Sequence, residues 1–114
     1  MRKQMIENAA FDVATQVREV EDAIEAALAQ IAELQGRMIH ARSVAGLATA
    51  TGHEAFEHLA QATLGLVKSR GEMASCHGVL RDTQQFIPGL RNVAIGEGDE
   101  CPPPSGYAGL RVVA

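Results

Sequence analysis

The sequence predicts an all-α fold: a long antiparallel helical hairpin that dimerises into a four-helix bundle and ends in a flexible Pro/Gly-rich tail. Three observations carry that prediction. An apolar stripe with heptad spacing fills the first half of the chain, and a second stripe of the same spacing follows a short polar break. The apolar residues are almost all aliphatic: 46% of the chain is hydrophobic but only 4% aromatic, with no Trp. Ala, Leu, Val, Ile and Met at that density suit helices packed closely on helices better than a sheet sandwich. Finally, Pro and Gly, which stop helices, gather from residue 88 onward.

The first stripe is Ile6, Ala10, Val13, Val17, Val20, Ile24, Ala27, Ile31, Leu34, Met38, Ala41, Ala45 and Ala48, in alternating steps of four and three. It predicts one helix over roughly 4–49, ~70 Å long at 1.5 Å per residue. Gly36 and Gly46 lie off the stripe. In the connecting stretch TATGHEAF, Thr51 with Glu54 three residues later reads as a capping box for a second helix, and Gly52 helps the chain reverse. A connection this short makes the two helices antiparallel neighbours. The second stripe is Ala55, Leu59, Ala62, Leu66, Ser69, Met73, Cys76, Leu80, Thr83 and Ile87, closed by Pro88–Gly89. Leu28 on the first helix, and Phe56, Leu64, Val67 and Val79 on the second, lie off these stripes. A second hairpin packed as a four-helix bundle would cover them, hence the predicted homodimer.

This organisation divides the chain into a hairpin, 1–88, and a linker and tail, 89–114. In the tail, GEGDECPPPSG reads as a flexible or polyproline linker. It is flanked by an echo, GLRNVA at 89–94 and GLRVVA at 109–114. The two copies either pair as short β-like segments, or the last serves as a tethered docking peptide.

Ten basic and fourteen acidic residues leave a net charge of −4, which argues against a nucleic-acid binder with a basic face. The basic start MRKQMIENAAFD has no apolar run behind it, so no signal peptide is expected. No stretch approaches the ~18 apolar residues of a membrane span. A cytoplasmic protein with no membrane partner is the expectation. Cys76 falls on the second stripe and is expected to be a buried small hydrophobe, and Cys101 is expected to be exposed in the linker. Two cysteines are too few for a disulfide scaffold.

HEAFEH, residues 53–58, invites a metal reading, but its spacing is neither HExxH nor HxxEH. His53 with Glu57, and Glu54 with His58, read instead as two i,i+4 pairs on a solvated helix face. His40 and His77 read as surface residues. The remaining candidate is the stretch FDVATQV. Asp12 and Gln16 stand one helical turn apart, each one residue before a stripe valine, so they share a flank of the first helix. Glu57 with Gln61 and Asp82 with Gln85 have similar spacing, and a polar flank is ordinarily just solvated.

At these residues the sequence resembles a family. AFDVATQVREVEDAIEAAL is similar to the signature helix of the CheZ-type chemotaxis phosphatases, dimeric long-hairpin proteins that dephosphorylate CheY. That helix carries an aspartate, a glutamine four residues on, and then an aliphatic residue: here Asp12, Gln16 and Val17. The short chain resembles the compact CheT-type variant more than the longer members. Those members carry Thr two residues before the glutamine and Gly directly before it, where this chain has Ala14 and Thr15.

The resemblance implies that the protein hydrolyses the aspartyl phosphate of a CheY-like response regulator. Gln16 would orient the attacking water, and Asp12 would pair with the lysine of the partner's phosphate site. An amide suits the first task because it both donates to and accepts from a water without changing protonation state, as glutamine does in small GTPases. The same resemblance places Phe11, Thr15 and Glu19, with Tyr107 and Leu110 in the tail, against the response regulator. It implies Mg²⁺ on that partner and no cofactor in this chain. The tail segment 106–114 would tether the partner, or else pack on its own bundle or act as a protease-recognition tail. Two other readings stand beside this one: a non-enzymatic coiled-coil adaptor, and a metal-binding bundle built on His53, Glu57 and His58.

Overall fold

The computed structural model describes residues 2–90. Two long helices account for most of them: α1, Arg2–Ala45, and α2, His53–Thr83. A single 3₁₀ turn, Gln84–Phe86, follows α2, and no strand occurs among the described residues. The predicted all-α hairpin of two long antiparallel helices is the observed fold. The chain forms two compact units, residues 21–71 and the described parts of 1–20 and 72–114.

The unit of residues 21–71 contains the reversal. α1 ends four residues earlier than the stripe suggests, because Gly46 takes a left-handed φ of 67°. The Gly46 N–H then donates to the Ser43 carbonyl and the Leu47 N–H to the Arg42 carbonyl, both at 3.2 Å. That bond pattern is a Schellman cap, which satisfies carbonyls the helix end would otherwise orphan. Ala48 therefore lies in the turn, not on the helix.

Arg42 closes this turn. Its guanidinium donates to the carbonyls of Ala48 at 2.6 Å, Thr49 at 3.1 Å and Thr51. It also lies 5.5 Å from the centre of the Phe56 ring. The capping box does not form. α2 begins at His53 with Gly52, at φ 75°, in the cap position, and the Ala55 N–H donates to the Gly52 carbonyl at 3.0 Å. Thr51 thus sits one residue too early to cap, and Glu54 turns to His58 instead, 3.5 Å away. Farther along, Arg70 of α2 reaches Glu25 of α1.

The half-buried residues show which face each helix turns inward here. They are Glu21, Ile24, Ala27, Leu28, Ile31, Met38 and Arg42 on α1, and Phe56, Leu59, Thr63 and Leu66 on α2. Ala62 and Ser69, expected in the seam, are exposed, as are Leu34, Ala41 and Ala45. The contact face leans one column round each helix from the predicted stripe. The expected column of small residues on α2 is left open, and Phe56 and Thr63 beside it take the contact.

In the other unit the same lean recurs. Ala14 is half-buried while Val13 is exposed, and His77 is half-buried while Cys76 is exposed. The expectation that Cys76 is buried fails for this reason: its column faces outward in a single hairpin. Val17 is 9% exposed. α2 gives way to the 3₁₀ turn at Thr83, and Ile87 takes an extended conformation (φ −98°, ψ 121°). The proline that follows forces this by disfavouring helix at the residue before it. Gly89 then turns with φ 87° beside the aliphatic stem of Lys3. Leu90 folds back to 1% exposure, with its carbonyl accepting from the Gln84 amide at 2.6 Å.

Candidate functional site

Asp12 and Gln16 both lie on α1 with exposed side chains. At 1.5 Å and about 100° per residue, their Cα atoms are ~6 Å apart along the axis and ~40° apart around it. Among the described residues, neither side chain makes a hydrogen bond or an ion pair. An acid and a neutral amide therefore project side by side with all their bonding capacity unused.

What holds them is packing next door. Val17, directly after Gln16, is the one buried residue of α1. Fixing that side chain fixes the backbone of its neighbour, so Gln16 stands at the best-anchored point of the helix. Arg18, on the other side of Val17, is half-buried and engaged. A donor–acceptor group on a rigid backbone can be aimed, whereas the same group on a loop could not be held within the ~0.5 Å such work requires.

The other expected contact residues divide. Glu19 is exposed on the flank of Asp12, about 20° round the helix from it. Phe11 and Thr15 are exposed too, but Phe11 lies roughly 140° round the helix from Gln16. A partner touching both must wrap the helix. Met5, which the sequence reading did not single out, shares the flank of Asp12. It lies two turns before Asp12 and is 69% exposed. The spacing 5, 12, 19 was its signal, and a methionine offers an adaptable apolar contact beside the polar pair. Tyr107 and Leu110 lie outside the described residues, as do Cys101, the linker and nearly all of the echoed segments.

Elsewhere the chemistry is sparse. His53 with Glu57 at 3.6 Å, and His58 with Glu54 at 3.5 Å, are the exposed i,i+4 pairs the sequence suggests. No group of three His, Cys, Asp or Glu side chains converges on a point among the described residues. An open depression at the turn is lined by Arg42, Leu47, His53 and Phe56, but its cation is already committed to backbone carbonyls. The Arg70 guanidinium is held above its ordinary pKa by its hydrogen bond to Glu25 and by that carboxylate's charge. Both groups are exposed, so water screens the pair and it adds little stability. No described helix is long and apolar enough to cross a membrane.

No family model matches the chain, and no curated protein or solved structure is similar enough to count as a match.

Proposed function

We propose that the protein is a phosphatase for the aspartyl phosphate of a CheY-like response regulator, acting through Gln16 and Asp12 of α1. The observation that carries this reading is the exposed, unengaged Asp12–Gln16 pair placed directly before the buried Val17. In the partner's active site Gln16 holds a water in line with the P–O bond to the aspartate. The water oxygen attacks phosphorus, the P–O bond breaks, and the partner regains its carboxylate while inorganic phosphate leaves. The partner supplies the Mg²⁺ and the lysine that neutralise charge on the phosphoryl group, and Asp12 pairs with that lysine to seat the helix. No covalent intermediate on this chain is needed, because orientation of the water supplies the acceleration. Phe11, Thr15 and Glu19 complete the contact on α1, Tyr107 and Leu110 tether the partner from the tail, and the acting unit is a cytoplasmic homodimer.

The direct test is phosphate release from the phosphorylated regulator, with native protein and with Gln16→Ala. Native protein should shorten the phosphate's lifetime and the variant should not. Equal turnover by both would remove Gln16 from the role.

One observation favours a second reading, a coiled-coil adaptor that only binds. Large apolar side chains outside the pair are strongly exposed, Phe86 at 85% and Val44 at 75% among them. An adaptor binds its partner equally well with and without phosphate and leaves the phosphate's lifetime unchanged.

A further inference from the structure

Asp12 and Gln16 occupy only part of an exposed face. Met5, Asp12 and Glu19 follow one another at seven-residue steps on α1. Each step advances ~10 Å along the axis and turns only ~20° about it, so the three stand almost in line over ~21 Å. All three are exposed, and all belong to one compact unit. They stand one residue before Ile6, Val13 and Val20, roughly 100° round the helix from that stripe. A second hairpin closing over the stripe would therefore leave this line open. The line changes character along its length. Met5 is a large apolar side chain that its own hairpin leaves 69% exposed. Asp12 and Glu19 are carboxylates, neither of them paired among the described residues. No base interrupts the line: Arg18, the one cation between residues 5 and 19, lies about 100° round from Glu19 and is engaged elsewhere. An uncompensated pair of carboxylates complements a cationic surface.

We propose that Met5 and Glu19 determine which response regulator the protein accepts, an inference that rests on the phosphatase reading and gives that site its specificity. α1 lies across a regulator whose phosphate-site lysine, met by Asp12, has an apolar recess on one side and a second cation on the other. Met5 fills the recess and Glu19 pairs with the cation, each ~10 Å along the axis from Asp12. A methionine suits the recess because its unbranched thioether adapts to the shape it meets. Reversed on the regulator, α1 would set Glu19 against the recess and Met5 against the cation. The same two residues therefore fix the direction of the helix, and with it the side of Asp12 on which the Gln16 amide falls. Neither touches the reacting atoms. Their contacts are equal before and during phosphoryl transfer, so they set the half-saturating concentration and leave the maximal rate alone.

The test is single-turnover dephosphorylation of the CheY-like regulators of the same organism, phosphorylated beforehand with acetyl phosphate. It is run across concentrations of the full chain and of three variants, Met5→Gln, Glu19→Gln and Ile39→Gln. Met5→Gln is expected to raise the half-saturating concentration about tenfold, at an unchanged maximal rate and with the native dependence on salt. Glu19→Gln is expected to raise it about threefold and to flatten its rise with salt. Ile39 is 54% exposed on the other unit, and its variant is expected to match the native chain. All three side chains are exposed and glutamine is a good helix former, so the variants keep the native helicity. With an active native chain, three results would each overturn this inference alone: Met5→Gln at native half-saturation, Glu19→Gln with the native salt dependence, or Ile39→Gln as weakened as Met5→Gln. A native chain that shortens no regulator's phosphate lifetime would overturn the phosphatase reading and this inference with it.

Discussion

At the scale of single residues, Gln16 and Asp12 make different demands on an experiment. Gln16 is assigned to water, so Gln16→Ala should lower the dephosphorylation rate at saturating partner by ~100-fold while leaving binding nearly intact. Asp12 is assigned to a lysine of the partner, so Asp12→Asn should weaken binding as well as turnover. A single-turnover assay across partner concentration separates the two effects. Val17 allows a sharper check on positioning. Val17→Ala removes two buried methyl groups and should lower stability by ~1–2 kcal/mol. If anchoring matters as argued, it also lowers turnover under conditions where the variant is still fully folded. Native turnover from a folded Val17→Ala would show that Gln16 needs no such anchor.

At the scale of elements, helix type and order were legible because the heptad period is long and strong. The ends and the inward faces were not. The stripe carried the eye through Ala45 to Ala48, but Gly46 with Leu47 after it is a capping signal that outweighs one more alanine in register. Thr51 and Glu54 had the right spacing for a capping box and the wrong position, since Gly52 at φ 75° begins α2 one residue later. The inward faces leaned by a column because a stripe with three apolar columns does not say which two meet inside one chain. The flank of Asp12 and Gln16 was legible from spacing; its anchoring by Val17 needed the structure.

Arg42 was also invisible in sequence, since its partners are backbone carbonyls, yet it bridges three of them across the turn. Arg42→Met keeps the aliphatic stem but loses the donors to three carbonyls. It should cost about 1–2 kcal/mol, seen as a fall of several degrees in a thermal melt followed by circular dichroism. An unchanged melting temperature would mean that the turn is held by its glycines alone.

At the scale of the whole molecule, the decisive quantity is how little each hairpin buries. Among the described residues only Val17 and Leu90 are buried side chains, while Val13, Leu34, Leu64, Val67, Val79 and Leu80 are all exposed. Two buried residues cannot offset the conformational entropy of ordering two long helices, which runs to ~1–2 kcal/mol per residue for backbone alone. Helical stability in proteins comes chiefly from packing an amphipathic face. The open column Ala55, Ala62, Ser69, Cys76 and Thr83 on α2, with the exposed Val13, Leu34 and Ala41 on α1, is surface that a four-helix bundle would close. If a second hairpin closes them, stability is tied to association, and the melting temperature must rise with protein concentration. Ala62→Glu isolates the effect. The side chain is exposed in one hairpin, so a monomer tolerates the change within about 0.5 kcal/mol. A bundle would have to bury two unpaired carboxylates. The variant should therefore melt at a much lower temperature than the native chain and lose the concentration dependence. A native chain whose melting temperature does not change over a hundredfold range of concentration, or an Ala62→Glu chain that melts like it, would mean that these columns face water or a different protein.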